Sequence, residues 1–427
     1  MMGKGKRWFM LGLAVVMVFF LVQLVAAGSK KEEGPIVLKL WSMQQSDRRV
    51  VDNQNFVIQE FQKKYPNIAL ELEVTPYNAY RDKLLVAAKG GNPPDISVVD
   101  QIWNPEFAAA DLIIPMDEYL EGSPVKQEQF FTGAWDSAVY QDKVWGIPLD
   151  VGAWEFLYYN VELFEEAGVK PPKTWDEWLR VGKKLTRDTN NDGEIDQWGL
   201  YLLGAKGEIV VVFTDSLIFS NGGQIVSNNG KRGMLDSSEV IGAMKFYKNL
   251  VDIAPPGVPN ADQTESSNYF ATGKVAMQTI GEWEQETIIN RAPDLNWDLA
   301  SIPAPEQGDT FHACFGGWNF VIYKNSEHRD AAWKFIEFAS SKEMNFRMAS
   351  LTPAHLDAAK QYLNEFKKRP EIIFETMENA YARPISPIYP QVSEIQQDMA
   401  QNILLGMDVE KACREANKRL NDLLAGE

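Results

Sequence analysis

The chain has 427 residues, 45% of them hydrophobic and 24% charged, with 59 Asp and Glu against 42 Lys and Arg and a net charge of −17. That length gives room for two or three domains with ample surface to bury a core. The acidic balance repels nucleic acid and anionic lipid surfaces, which excludes both as partners, and two cysteines, Cys314 and Cys413, are too few for a disulfide scaffold.

The first residues supply an address. Lys4, Lys6 and Arg7 form a basic segment, and Trp8 to Val22 is an apolar run broken at Gln23. Val25-Ala26-Ala27 then places small residues at the −3 and −1 positions of a cleavage site before Gly28. This layout predicts a signal peptide over residues 1–27 and a periplasmic or secreted mature chain. Its rival is an uncleaved anchor, because Trp8 to Ala27 is just long enough to span a bilayer. No Cys follows the apolar run, so a lipoprotein is not expected. Cleavage removes three basic residues and leaves 39 against 59 acidic ones, a charge of about −20.

Ile36 to Trp41 reads as a buried strand. Val50, Val57, Ile58 and Phe61 recur at helical spacing, and that helix ends before Pro66. Ile68, Leu70, Leu72 and Val74 alternate with period two. A second helix carries Tyr80, Leu84 and Ala88 and stops at Gly90-Gly91. Pro93-Pro94-Asp95 leads into a short strand from Ile96 to Val99. This alternation is the rhythm of a parallel sheet covered by helices on both faces. Ligands of such sheets sit beyond the carboxyl ends of the strands. Trp41, Gln44 and Gln45 follow one such end; Asp100 and Trp103 follow another.

Further on, Trp175, Trp178 and Leu185 share one helical face, and Val240, Met244, Tyr247, Leu250 and Val251 share another. Asp188, Asn190, Asp192, Glu194 and Asp196 fall at positions 1, 3, 5, 7 and 9 of a calcium loop, with Gly193 at the tight turn. Oxygen side chains occupy positions 1, 3, 5 and 9, and position 7 would offer its carbonyl. Position 12 is Gly199 rather than a bidentate acid, and the strand-like stretch Trp198 to Leu203 follows instead of a helix. The expectation is structural calcium in a loop that is not a paired EF-hand, and the bland alternative is an Asn/Asp/Gly turn. From Val392 to Leu424 the pattern gives two amphipathic helices joined near Gly406-Met407-Asp408. Cys413 lies on an apolar helical face, which argues against a disulfide to Cys314.

Several segments resemble, in order, the extracellular solute-binding proteins that include maltose-binding protein, the sugar receptors of ATP-driven importers. They are Asn92-Pro93-Pro94-Asp95-Ile96, Gly146-Ile147-Pro148-Leu149-Asp150-Val151 with Tyr158-Tyr159-Asn160, Phe219-Ser220-Asn221-Gly222-Gly223, and Phe270 to Met277 with Gly281 and Trp283. Gly316-Gly317-Trp318-Asn319, Ala331 to Ile336 and Arg383-Pro384-Ile385-Ser386-Pro387 complete the set. The resemblance implies an α/β, two-lobed periplasmic-binding-protein fold, with a ligand cleft between the lobes and three interlobe crossovers. It places residues 30–149 and 300–345 in one lobe and residues 150–299 and 346–427 in the other.

A sugar presents an apolar C–H face, which an aromatic ring matches, and a rim of hydroxyls, which carboxylates, amides and Arg match. In related receptors the counterparts of Asp100, Asp150, Trp283, Trp318 and Arg383 lie in the cleft. The alternatives are a helix N-cap for Asp100, a hinge hydrogen bond for Asp150, core packing for the two indoles and an interlobe salt bridge for Arg383. Glycines beside Trp283 and Trp318 would leave an indole face open. Trp41, Gln44, Gln45, Trp103, Trp154 and Tyr389 are weaker candidates. The family often carries an acid after the first strand, where Gln44-Gln45 stands here, a departure that bears on the ligand's identity rather than on the fold; a polyol or a glycerophosphodiester is an alternative solute.

The expected function is capture of a sugar and delivery to the membrane permease of an ABC importer by a monomer with no catalytic cofactor. A carbohydrate-active enzyme is the rival of a different class. Against it, no acid/base pair is marked, and His312, His328 and His355 have no nucleophile motif nearby. A ligand sensor for a membrane receptor would share the same fold.

Overall fold

A computed structural model describes residues 35–43, 48–227 and 230–426. The signal peptide over 1–27 and the candidates Gln44 and Gln45 lie outside the described residues. Among the described residues twelve strands occur in chain order: β1 (Ile36–Met43), β2 (Ile68–Thr75), β3 (Ile96–Asp100), β4 (Val139–Tyr140), β5 (Lys143–Val144), β6 (Ile147–Ala153), β7 (Phe156–Asn160), β8 (Met277–Ile280), β9 (Trp297–Ala300), β10 (Cys314–Ile322), β11 (Thr352–Pro353) and β12 (Tyr381–Ala382). The predicted strands over 36–41, 68–74 and 96–99 are β1, β2 and β3.

The larger sheet has the order β11-β6-β10-β3-β1-β2, with β12 also pairing β10. β1 runs parallel to β2, from Ile36 opposite Ile68 to Met43 opposite Thr75, and parallel to β3. There the predicted parallel sheet ends. β10 is antiparallel to both β3 and β6, and β11 is antiparallel to β6. The route of the chain explains the reversal. β6 runs in the same direction as β3 and leaves directly for a second sheet of order β8-β7-β9, all antiparallel. A strand returning from that second sheet enters the first at the end from which β6 left, so β10 must run the opposite way.

The chain thus crosses between the sheets at Trp154-Glu155 and returns through residues 301–313. After β11 and β12 it leaves a third time, through residues 383–388, for the helices Tyr389–Leu404 and Val409–Leu424. That final pair packs on the helices Glu208–Ser220 and Ser238–Asn249. The carboxyl ends of β1, β3 and β6 all point toward the junction, which is where Trp41, Asp100 and Asp150 lie.

The helices follow their sequence signals. In Arg48–Lys64 the buried set is Val50, Gln54, Val57, Ile58 and Phe61, the i, i+4 stripe of one face. Trp175–Leu185 begins at Thr174, whose hydroxyl accepts the N–H of Glu177 as an N-cap. Tyr77–Lys89 stops at Gly90, and the C-terminal helices join across the turn at Gly406. The strand expected at 198–203 is reduced to isolated bridges, Trp198 with Val275 and Tyr201 with Gln278. Cys314 and Cys413 are buried and unpaired. Among the described residues no helix is long and apolar enough to cross a membrane.

Candidate functional site

The step from β6 to β7 builds the site. Gly152 in β6 lies opposite Gly316 in β10. A Cβ on Gly316 would stand 2.2 Å from Trp154 Nε1, so the bare backbone there gives the Trp154 indole its room. Gly281 acts likewise for Trp283, whose ring would come within 2.0 Å of a Cβ. The two indoles meet edge to face, with centroids 5.0 Å apart and planes at 77°. Glycine therefore seats an indole in both places, and at Gly316 that indole belongs to Trp154 rather than to Trp318.

Two polar groups sit beside this pair. Glu282 Oε2 and Trp154 Nε1 each lie 3.6 Å from the point where a Gly152 Cβ would be. Both atoms are buried and have no hydrogen-bond partner among the described residues. The other oxygen of Glu282 accepts from the Thr352 hydroxyl at 3.3 Å. Burial pushes the Glu282 carboxyl up to about 7, and the nearby Lys367 ammonium works against that rise. Asp150, one turn of the pleat away, accepts from Ser350 N at 2.8 Å, Ser350 Oγ at 2.7 Å and Leu351 N at 3.2 Å. Its burial raises the carboxyl to about 6 despite those donors.

Trp283, Ser350 and Leu351 line a cavity of about 740 Å³. Arg49, from the helix after β1, and Glu286, from the helix Glu284–Arg291, form the facing walls and are joined at 3.1 Å. The cavity therefore lies between the first sheet's helices and those of the second. It offers a partly exposed indole and a charged rim.

A model of the bacterial extracellular solute-binding proteins matches residues 52–346. The chain belongs to that family. The solute-binding proteins it resembles include a maltotriose-binding protein of Pyrococcus abyssi, 24% identical over 82% of this chain and 73% of that one. A binding protein of Brucella abortus is 27% identical over 81% of this chain and 83% of its own length. Among solved structures, an ABC transporter solute-binding protein of Thermotoga lettingae, bound with alpha-D-tagatose, is 30% identical. It covers 91% of this chain and all of that one, with a TM-score of 0.76. The fold is thus the two-lobed one of these receptors, with the cleft between lobes joined by three crossovers.

Most of the remaining candidates of this solute-binding protein are buried away from that cavity. Asp100 caps the turn after β3 by accepting the N–H of Ile102 at 3.3 Å. Arg383, in the third crossover, is 3% exposed. Its guanidinium reaches Glu208 Oε1 at 2.8 Å and Asp100 Oδ1 at 3.4 Å. Glu208 also accepts from the Tyr389 hydroxyl and from Ser393 Oγ. Asp100, Arg383 and Tyr389 are thus brought together, tying β3 to the helices of the second lobe. Trp318 and Trp103 are both buried, edge to face at 5.9 Å. Trp41, half-buried, has the Lys83 ammonium over its ring at 4.4 Å.

Sequence reasoning missed Glu282 and Glu208. Glu282 had a signal, since it stands between Gly281 and Trp283; Glu208 had none, because its partners are about 175 to 185 residues away in sequence. In the loop 188–196 the Asp188 carboxylate accepts from Asn190, Asn191 and Gly193 N–H groups, and Asp196 accepts from the N–H and hydroxyl of Thr189. Among the described residues no group of three or more His, Cys, Asp or Glu is gathered to hold a metal ion.

Proposed function

We propose that the chain is the exported receptor of an ABC importer, holding a sugar or oligosaccharide between its lobes and passing it unaltered to a membrane permease. The observation that carries this reading is the coincidence at one place of a partly exposed indole, Trp283, and two buried polar atoms without partners, Trp154 Nε1 and Glu282 Oε2. A pyranose supplies both complements, a C–H face and hydroxyls that donate and accept. Each stacked face would contribute roughly 1–2 kcal/mol and each hydrogen bond to a charged group about 1.5–3 kcal/mol. A few of these, less the cost of ordering, reach micromolar affinity, about −8 kcal/mol. The ligands named for the relatives, maltotriose and tagatose, belong to the same chemical class.

In this reading the lobes are residues 30–149 with 300–345 and residues 150–299 with 346–427, and β11 and β12 reach back from the second to pair with the first sheet. The protein acts as a monomer after removal of residues 1–27. The loop 188–196 takes calcium: its donors are hard oxygens, and the bond from Gly193 N–H to Asp188 ties position 6 to position 1 of the loop. A thermal-shift screen against monosaccharides and oligosaccharides tests the function, because ligand at 100 times Kd adds about 2.7 kcal/mol. The sugars are then recovered and analysed. Stabilisation with the sugar intact supports the receptor; new products would replace it with a carbohydrate-active enzyme; no response to any sugar would remove the class.

A further inference from the structure

We propose that a second saccharide site lies at the crossover segments, apart from the cavity beside Trp283. A cavity of about 790 Å³ opens between residues 219–226, the second crossover at 308–312 and the start of the third at 381–384. It shares no lining residue with the cavity at Trp283.

Its floor is an aromatic platform. Tyr381 is 49% exposed. Its ring stacks on His312 with centroids 4.5 Å apart and planes at 10°, and Phe219 meets it edge-on at 5.7 Å. The stack is fixed from below. His312 N donates to Ser220 Oγ at 2.9 Å, and His312 Nδ1 lies 2.9 Å from the Asn379 carbonyl. Tyr381 N donates to the Ala313 carbonyl at 2.9 Å, and β12 pairs with β10. A rigid phenol held half in water offers apolar surface without an ordering cost at the moment of binding.

Polar groups surround the platform. The Gln224 amide and the Thr310 hydroxyl, both exposed, line the cavity. Asp309 Oδ2 accepts from Glu306 N at 3.1 Å, and a carboxylate has room for further donors. No Lys or Arg is among the lining residues, so a phosphorylated or acidic sugar finds no counter-charge. A neutral pyranose fits: its C–H face on Tyr381 and its hydroxyls toward Gln224, Thr310 and Asp309.

The experiment is saturation-transfer NMR of methyl α-D-glucopyranoside with the chain, its Trp283→Ala variant, and the Tyr381 and Gln224 substitutions made in that Trp283→Ala background, which removes the first cavity's share of the signal. Saturation of the glucoside should persist in Trp283→Ala and fall roughly ten-fold in Tyr381→Ala, while Tyr381→Phe retains it. Gln224→Ala, at an exposed position, should weaken the signal too and stands in if Tyr381→Ala melts early. Full signal in both Tyr381→Ala and Gln224→Ala would overturn the site, as would no signal in the wild type. Loss of all signal in Trp283→Ala would also overturn it and leave the receptor function standing.

Discussion

At the level of single residues, Trp154 and Glu282 are where the proposed site can be tested. A buried N–H without an acceptor costs about 1–3 kcal/mol, and a bound hydroxyl at Trp154 Nε1 would remove that cost. Trp154→Phe keeps an aromatic ring, though a smaller one, and deletes the donor. We expect its melting temperature to hold or rise while sugar affinity, measured by calorimetry, falls roughly ten-fold. Glu282 gives a pH test. Its folded carboxyl titrates at about 7, above the ordinary 4.5, because burial disfavours the charge. The folded state therefore binds this proton more tightly than the unfolded one. Its contribution to stability is full below about 4.5 and is lost as pH rises through about 7. Glu282→Gln should raise the melting temperature at pH 8 and leave it nearly unchanged at pH 4.5, a difference of up to about 3 kcal/mol. Equal effects at both values would show that Glu282 is not held in a raised state.

At the level of elements, the glycines of β10 decide where the indoles go. Gly316→Ala puts a methyl where Trp154 Nε1 now stands, so the indole must turn away and Trp283 loses its edge-on neighbour. We expect affinity to fall roughly ten- to hundred-fold, with folding kept because Trp154 is only half-buried. Gly317→Ala differs, since its Cβ would meet the Asp150 carbonyl at 2.3 Å. Backbone cannot swing aside, and that variant should lose stability first. The loop 188–196 has its own test: chelator should lower the melting temperature, and Asp192→Ala should abolish that sensitivity. Identical melts with and without chelator would leave the loop as an Asx-bonded turn.

Period and punctuation made these elements legible in advance. Val50, Val57, Ile58 and Phe61 marked one helix, and Gly90 ended another, because helix faces and caps are local. The glycines beside Trp283 and Trp318 predict an open indole face; in the fold they make room for the rings of Trp283 and Trp154. Nothing local says which ring a glycine makes room for, and Gly316 seats an indole 162 positions earlier in the chain. Long-range polar partners were equally hidden: Arg383 could be read as a ligand group or as a tie between lobes. The sheet's reversal at β10 was also illegible, because strand direction depends on the route through the second lobe and not on any stretch of sequence.

At the scale of the molecule, three narrow crossovers join the sheets, and among the described residues ion pairs at two places bridge the gap between them. Arg49–Glu286, at 3.1 Å, spans the mouth of the Trp283 cavity and is about one-third exposed on both sides. Arg383 between Asp100 and Glu208 is buried. The two should behave differently. An exposed pair contributes about 0–1 kcal/mol, so Arg49→Ala should weaken sugar binding only a few-fold. Removing one partner of a buried pair strands the others, at about 3–5 kcal/mol, so Arg383→Met should lower the melting temperature strongly.

Both bridges are made in this arrangement, and a ligand favours closure of the lobes only by touching both at once. The cavity's walls meet that condition: Arg49 comes from the helix after β1, and Trp283 comes from the segment after β8. Binding should therefore shift the population toward closure about the three crossovers. Small-angle scattering of the mature chain should give a larger radius of gyration without solute than with a saturating sugar identified by the thermal screen. Trp283→Ala, which keeps the lobes but loses the stack, should need more sugar to reach the same small radius. An unchanged radius at saturation would refute hinge closure and leave binding intact. A radius already minimal without sugar would mean that the ion pairs alone hold the lobes together, and Arg383→Met should then enlarge it.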